Sequence, residues 1–264
     1  ESPDNALGGG SGNSLGDSSN GYARRSNFSW DRELMEWTAN YNRAFGAEEK
    51  HKLDALLGYS WESNAYQSQS SMATNFAIAS MGANSIQTGN DLKIGNVTSS
   101  KNEYKLISFF ARAHYSFDER YMITATVRRD GSSKFGANHK WGWFPSVSAA
   151  WGLSQEGFMK DIKWISDLKL RAGWGVTGNQ DGLMPYKSLE LYQAYGTYYD
   201  NGGSSTAFRI TQNANPDLKW EETAMFNIGI DFSLFNGRLG GTIEYYDKKT
   251  SDMLYNYSVP TPTY

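Results

Sequence analysis

Residues 107–130 have the sequence ISFFARAHYSFDERYMITATVRRD, in which apolar and polar side chains alternate on both sides of a short polar turn. Before the turn at 118–120, the odd positions are apolar or aromatic, and the even positions include Arg112 and His114. A period of two residues is typical of a β-strand with one apolar and one polar face. The stretch therefore predicts two antiparallel strands joined by a tight turn.

The same alternation recurs outward along the chain in both directions. It is found at 34–42, 53–62, 143–154, 168–177, 224–234 and 239–248. The pattern predicts about eight strands of roughly 10–14 residues, whereas strands in globular proteins usually have about 5–6. A tilted strand needs about 9–11 residues to cross a bilayer, so these lengths favour a membrane wall.

The connections between the predicted strands alternate between short and long. Short turns are predicted at 46–52, 118–120 and 235–238, the last with an Asn-Gly hairpin signal, and a short helical turn within 156–167. Long polar connections are predicted near 69–102, 131–142 and 179–219. Short turns on one side and long loops on the other are typical of outer-membrane barrels. We therefore predict an all-β, antiparallel, up-and-down transmembrane barrel segment.

Composition excludes several function classes. The 264 residues include no cysteine, which removes disulfide scaffolds, thiolate metal sites and cysteine nucleophiles. The three histidines are far apart in sequence, no carboxylate pair is fixed by a rigid motif, and the net charge of -3 gives no support to nucleic-acid binding. No apolar run reaches the roughly 18–20 residues of a membrane-spanning helix. We expect no enzyme activity, no cofactor, no metal site and no nucleic-acid partner.

Charged residues in the middle of the predicted strands separate a barrel from a soluble β-sandwich. A dry core between two sheets would not accept these charges unpaired, whereas the wet lumen of a barrel would. Two alternatives nevertheless remain open from the pattern: a secreted β-sandwich that binds carbohydrate, and a small structural outer-membrane barrel. The residues predicted to line the lumen are Glu36, Arg112, His114, Arg128, Arg171, Asp231 and Glu244.

Four stretches carry a specific family resemblance. They are RRDGSSKFG at 128–136, WGWFPSVSAAW at 141–151, LKLRAGWGVTGNQ at 168–180 and NPDLKWEET at 215–223. In order and spacing they resemble the SusC/RagA family of TonB-dependent outer-membrane transporters. The resemblance covers about residues 101–250, and residues 1–100 fit by pattern alone.

The resemblance implies a location, partners and a larger barrel. Family members lie in the outer membrane of Gram-negative bacteria of the Bacteroidota type, have about twenty-two strands around a plug domain, and use TonB. They import oligosaccharides or peptides with a SusD-like surface lipoprotein. Eight strands cannot close so wide a barrel, so we expect a mid-to-late barrel segment without the plug. The expected division is a Gly/Ser-rich extracellular loop and strand start at 1–30, and barrel at 31–264.

Aromatic residues in the long loops are the candidate contact sites. Side chains of this type stack on sugars and peptides. The predicted contacts with ligand or partner are Trp141, Tyr192, Tyr195, Tyr198, Tyr199 and Asn201, with the loop tip at 201–203. The favoured alternative for the tyrosines is a strand pair that extends above the membrane. Trp143 is expected to anchor the membrane interface, and Asp130-Gly131 to form a strand-ending turn.

Overall fold

A computed structural model describes residues 22–76, 82–91, 95–159, 161–200 and 202–255. These residues are mostly β-strand. The strands are β1 (Tyr22–Phe45), β2 (His51–Phe76), β3 (Gly89–Asp91), β4 (Val97–Phe117), β5 (Tyr121–Ser132), β6 (Trp141–Gly152), β7 (Ile165–Asn179), β8 (Leu191–Asp200), β9 (Gly203–Gln212), β10 (Glu221–Leu234) and β11 (Leu239–Ser251).

Five single 3₁₀ turns make up the described helical structure. They are Ala47–Glu49, Gly82–Asn84, Ile86–Thr88, Leu153–Gln155 and Gly157–Met159. The last of them lies within 156–167 and confirms the helical turn predicted there. No helix among the described residues combines the length and the apolar character that a membrane crossing requires.

The main sheet follows the order β1-β2-β4-β5-β6-β7-β10-β11, with β3 paired to β2. Strands adjacent along this path are adjacent in sequence, except that β3 lies between β2 and β4 and the separate two-stranded sheet β8-β9 lies between β7 and β10. The eight-stranded path and its antiparallel pairing confirm the predicted strand number and up-and-down topology. β1 and β11 form the two edges.

The chain divides into two compact units. The first comprises the described parts of 1–33 and 63–103, and the second comprises 34–62 and the described parts of 104–264. In the first unit, Ala23, Ala73 and Phe76 form a small buried cluster. The second unit contains most of the paired strands and the larger buried cluster described below. The Gly/Ser-rich segment at 8–20 and the C-terminal stretch 258–264 lie outside the described residues.

The first strands are longer than predicted. β2 has 26 residues and β4 has 21, so both strands extend into the long connection predicted at 69–102. Alternation could not show this, because the segment is polar on both faces. Serine pairs link these polar strands instead: the hydroxyls of Ser26 and Ser70 are 3.0 Å apart, and those of Ser68 and Ser100 are 2.8 Å apart.

Some of the predicted turns are present in the structure, and one is not. The tight turns at 118–120 and 235–238 are present, with left-handed backbone at Asn236 and Gly237 as an Asn-Gly hairpin requires. The strand-ending turn predicted at Asp130-Gly131 is wrong, since β5 continues through Ser132. The long connection predicted at 179–219 contains the β8-β9 hairpin, so the predicted alternative of a strand pair is confirmed there.

Candidate functional site

The register of six strands sorts the side chains of the second unit onto two faces. One cross-strand row consists of His114, Thr124, Ser148, Gly173, Asn227 and Tyr246. The adjacent row, one residue along, consists of Tyr115, Ile123, Ala149, Ala172, Ile228 and Tyr245. Since neighbouring residues of a strand point to opposite faces, the first row belongs to a polar face and the second to an apolar face.

A cavity of about 720 Å³ opens on this sheet, with much of its lining on the polar face. Ser146, Ser148, Asn227 and Lys248 contribute side chains to its wall, and Glu221 lies at the start of β10 beside them. Hydroxyl, amide and charged groups of both signs are available there. Such a surface can bind polar ligands or water by hydrogen bonding.

A network on the polar face joins three of the predicted lumen residues. The Arg171 guanidinium donates from Nε to Asp231 Oδ2 over 2.7 Å and from Nη2 to Asp231 Oδ1 over 3.1 Å. Thr242 Oγ1 donates to Asp231 Oδ1 over 2.8 Å. Arg171 Nη1 lies 4.0 Å from Glu244 Oε1, which also accepts a bond from Asn227. These contacts place opposite charges beside one another on the polar face.

The other predicted lumen residues, Arg128, His114, Arg112 and Glu36, lie outside this network. Arg128 Nε donates to both carboxylate oxygens of the buried Asp130, over 2.7 and 2.8 Å. His114 Nδ1 lies 2.8 Å from Thr124 Oγ1. Arg112 shares a cross-strand row with Thr126 on the polar face, and Glu36 is exposed on β1. Sequence reasoning missed the Arg128–Asp130 pair, although an arginine and an aspartate two residues apart on a strand lie on one face.

An aromatic cluster brings together residues from all four motif stretches. Phe135, Phe144 and Trp220 are buried, with ring centroids of Phe135 and Trp220 4.4 Å apart and those of Phe144 and Trp220 5.4 Å apart. A Cβ placed on Gly142 or Gly178 would lie 2.4 or 2.1 Å from the Phe144 ring. The glycines of these motifs therefore make room for a ring.

Two loops meet beside the aromatic cluster, and we call this contact the loop clasp (133–140 with 213–220). Gly136 N donates to Leu218 O over 2.8 Å, and Asn138 N donates to Pro216 O over 3.2 Å. Asn138 Nδ2 also donates to Asp217 Oδ1 over 2.8 Å. The clasp fixes loops that are about 80 residues apart in sequence, and sequence reasoning missed it.

Lys134 is an unusual buried cation within the loop clasp. Its Nζ lies 4.3 Å from the centroid of the Tyr104 ring. Burial lowers the pKa of Lys134, while the negative charges of Asp181 and Glu62 act in the opposite direction. The ring face and the two carboxylates therefore partly offset the cost of removing the ammonium group from water.

The loop tyrosines lie on the β8-β9 hairpin. Tyr192, Tyr195, Tyr198 and Tyr199 are all exposed, and Arg209 lies over the Tyr195 ring at 4.7 Å. Asp200 pairs with Gly203, which places the hairpin tip where it was predicted. Asn201 lies outside the described residues. Trp141 is not on this hairpin: it lies at the start of β6, on the apolar face of the main sheet, and shares a cross-strand row with Gly131.

The chain matches the family described as TonB dependent receptor-like, beta-barrel over residues 2–264. The chain belongs to this TonB-dependent receptor family. The barrel prediction is thereby confirmed over the β-sandwich alternative, and the family is one of receptors and transporters. Within the described ranges, no three His, Asp or Glu side chains are grouped closely enough to hold a metal ion.

Individual relatives place this TonB-dependent receptor segment within the SusC/RagA branch, as the motifs predicted. TonB-dependent receptor SusC of Bacteroides thetaiotaomicron is 39% identical over 179 residues, covering 67% of this chain and 18% of SusC. TonB-dependent receptor P39 of Formosa agariphila is 39% identical over 227 residues, covering 85% of this chain and 21% of P39. The chain spans about a fifth of the length of these curated relatives.

A solved structure agrees with this assignment. The RagAB peptide transporter superposes with a TM-score of 0.78 at 30% sequence identity, covering 90% of this chain and 25% of that chain. The same complex in its open-open state gives a TM-score of 0.78 over 93% of this chain. The long antiparallel strands described above are therefore a segment of a TonB-dependent barrel wall.

Proposed function

We propose that the protein containing this chain is a TonB-driven transporter in the outer membrane of a Gram-negative bacterium of the Bacteroidota type. It imports oligosaccharides or peptides together with a SusD-like surface lipoprotein. Similarity to SusC and to the RagAB peptide transporter supports both the transport class and the lipoprotein partner. This chain supplies part of the barrel wall, part of the lumen lining and extracellular loops, while the plug and the TonB contact lie elsewhere in the protein.

The observation that carries this proposal is the exposed apolar face of the main sheet. Ile123, Val147, Trp174 and Ile228 come from four neighbouring strands, and each is between 42% and 47% exposed. A large continuous apolar surface is unfavourable in water and marks contact with a membrane or a partner. With the polar network on the opposite face, the arrangement matches a barrel wall between lipid and a wet lumen.

The polar face supports the proposed lumen lining. Arg171 bonds to Asp231 there and lies 4.0 Å from Glu244, and Arg128 is held by Asp130. With Glu36, Arg112 and His114, they would face the transport path. Charges held by fixed partners present a constant polar surface to passing solute, which favours polar cargo over apolar cargo.

The β8-β9 hairpin supports the proposed contact site. Its tyrosines offer exposed ring faces and hydroxyl groups, and Tyr199 is 82% exposed. We propose that Tyr192, Tyr195, Tyr198, Tyr199 and Asn201 contact the imported ligand or the lipoprotein. Rings of this kind can stack on a sugar ring or a peptide side chain, so the chemistry supports both cargo classes.

Uptake by cells tests the proposal. Cells with the full-length protein and cells lacking it would be given labelled neutral oligosaccharides and labelled peptides, with and without a protonophore. We expect uptake of one class to require both the protein and the proton-motive force. A paired replacement of Tyr195 and Tyr199 by serine should reduce that uptake, whereas serine at Tyr245, on the apolar face, should not. Uptake that is indifferent to the protein, or that persists with the protonophore, would contradict the proposal.

A further inference from the structure

Arg129 is the one charged side chain on the apolar face across four strands. The apolar-face positions considered are those of 107–117, 121–131, 141–151 and 168–178, all of them described. Its neighbour Arg128 faces the polar side and is neutralised by Asp130. In the part of the chain that the structure describes, no carboxylate lies within ion-pair distance of Arg129. Among the described residues, Arg128 therefore has an anionic partner and Arg129 has none.

Two exposed indoles hold the Arg129 side chain. Its Cζ lies 4.8 Å from the ring centroid of Trp141 and 5.1 Å from that of Trp143. The two tryptophans are 42% and 57% exposed, and Phe109 stacks on Trp141 with centroids 6.2 Å apart. Cation–π contacts orient a guanidinium without using its N–H donors, so the donors of Arg129 remain available to an acceptor.

The position of Arg129 along the strand matches a membrane boundary. It lies four apolar-face rows from Tyr121, which is about 27 Å along the strand at about 3.4 Å per residue. With a tilt of about 35–45°, this is roughly 20 Å of height, close to the apolar band of about 25 Å in outer-membrane barrels. At the other boundary, Tyr121 Oη and Trp151 Nε1 both donate to Glu156. Arg129 is thus at the edge of the apolar band on the side of the long loops.

We propose that Arg129, held between Trp141 and Trp143, binds the phosphate of an anionic lipid headgroup in the outer leaflet. The proposal rests on the outer-membrane placement proposed above. Charge complementarity selects the occupant, because a guanidinium fork with free donors fits a phosphate, and phosphates lie at the depth of this boundary. Trp141 and Trp143 hold the guanidinium and contact the acyl chains below it.

Lipid retention by the full-length protein in a non-ionic detergent tests this site. Native mass spectrometry would count bound dilauroyl phosphatidic acid and, separately, dilauroyl phosphatidylcholine. We expect Arg129→Gln to weaken retention of phosphatidic acid on the order of tenfold, since a charge-assisted bond to phosphate is lost. Retention of phosphatidylcholine should change much less. Arg209→Gln is the matched control, because Arg209 also lies over an aromatic ring but belongs to the separate β8-β9 sheet.

Further variants keep the test decisive if Arg129→Gln folds poorly. Arg129→Lys keeps the positive charge but removes the paired N–H donors of the guanidinium. Trp143→Leu keeps the guanidinium but removes one of the two rings that hold it. Each variant should therefore lose part of the retention of phosphatidic acid. Heat-modifiable migration would show that each variant is a folded barrel. Equal retention by Arg129→Gln and the parent, or an equal loss in Arg209→Gln, would overturn the proposal. Energy-dependent uptake measured in parallel separates this proposal from the proposed transport function. If uptake is intact and Arg129→Gln retains as much lipid as the parent, the lipid site is rejected and the transport function stands.

Discussion

At Gly136 the loop clasp permits no side chain. A Cβ on this residue would lie 2.0 Å from Pro216 O, and the obstacle is backbone that cannot rotate away. We expect Gly136→Ala to weaken the Gly136–Leu218 hydrogen bond and to destabilise the protein by about 1–3 kcal/mol, as overpacking does. Thermal unfolding of the full-length protein in detergent measures this. Gly157→Ala is the control, since its Cβ would meet nothing within 4 Å. Equal melting temperatures for the two variants would contradict the close approach.

Glu156, in the turn between β6 and β7, introduces a pH dependence. Hydrogen bonds from Tyr121 and then Trp151 lower the pKa of its carboxyl group, and the nearby Arg120 acts in the same direction. Because its pKa is lowered in the folded state, the ionised Glu156 stabilises the fold at pH values above the ordinary carboxyl pKa. This stabilisation is lost as the pH falls through the lowered value. We expect Glu156→Gln to make the melting temperature depend less on pH below about 4.5. The same slope in both proteins would exclude Glu156 as the source.

Single residues show where sequence reasoning succeeds and where it stops. The face of His114 or Arg171 follows from alternation alone, because a strand fixes the direction of each side chain. The burial of Phe135 and Trp220 does not follow, since these rings lie in loops without a period and meet each other from distant segments. Their signal was the motif resemblance, which indicated the family without indicating that the motifs touch.

At the scale of the elements, the two faces of β5 should respond differently to charge. Ala125 lies on the apolar face beside Ala113 and Val147, while its neighbour Thr126 lies on the polar face beside Arg112 and Ser146. We expect Ala125→Arg to cost about 2–4 kcal/mol, the usual cost of an arginine at the lipid midplane, and Thr126→Arg to cost much less. Unfolding of the full-length barrel in lipid vesicles by urea measures both. Similar costs, or the reverse order, would contradict the assignment of the faces.

Strand lengths were harder to predict than strand identities. Where one face meets lipid and the other meets water, alternation marks the strand, as in β5 and β7. β2 continues beyond that region as a polar ribbon through Ser68 and Ser70, and polarity on both faces resembles a loop in sequence. For the loop tyrosines the sequence favours a strand pair, but the bounds of β8 and β9 do not follow from it, because tyrosines on an exposed strand pair carry little periodic signal.

For the molecule as a whole, the edge strands β1 and β11 determine whether this chain associates when it is studied alone. Unpaired strand edges recruit other strands, and lipid offers them no hydrogen-bonding partners. We expect this chain alone to associate in detergent and to migrate identically in gels with and without heating. The full-length protein should migrate faster when unheated, as closed barrels do. Separation by size-exclusion chromatography provides the second measurement, and a monodisperse, heat-modifiable fragment would show that these edges pair within the chain.

The loop clasp also has a consequence for the order of assembly. Trp220 Nε1 donates to Lys140 O across 80 positions of the chain, and β6, β7 and the β8-β9 hairpin lie between these two residues. Contacts between distant positions form after local hairpins, because closing a long loop costs more entropy than closing a short one. The neighbouring wall strands can therefore pair first, and the loop clasp forms afterwards. An assembling barrel would pass through a stage in which the wall strands are paired and the loops are not yet in contact.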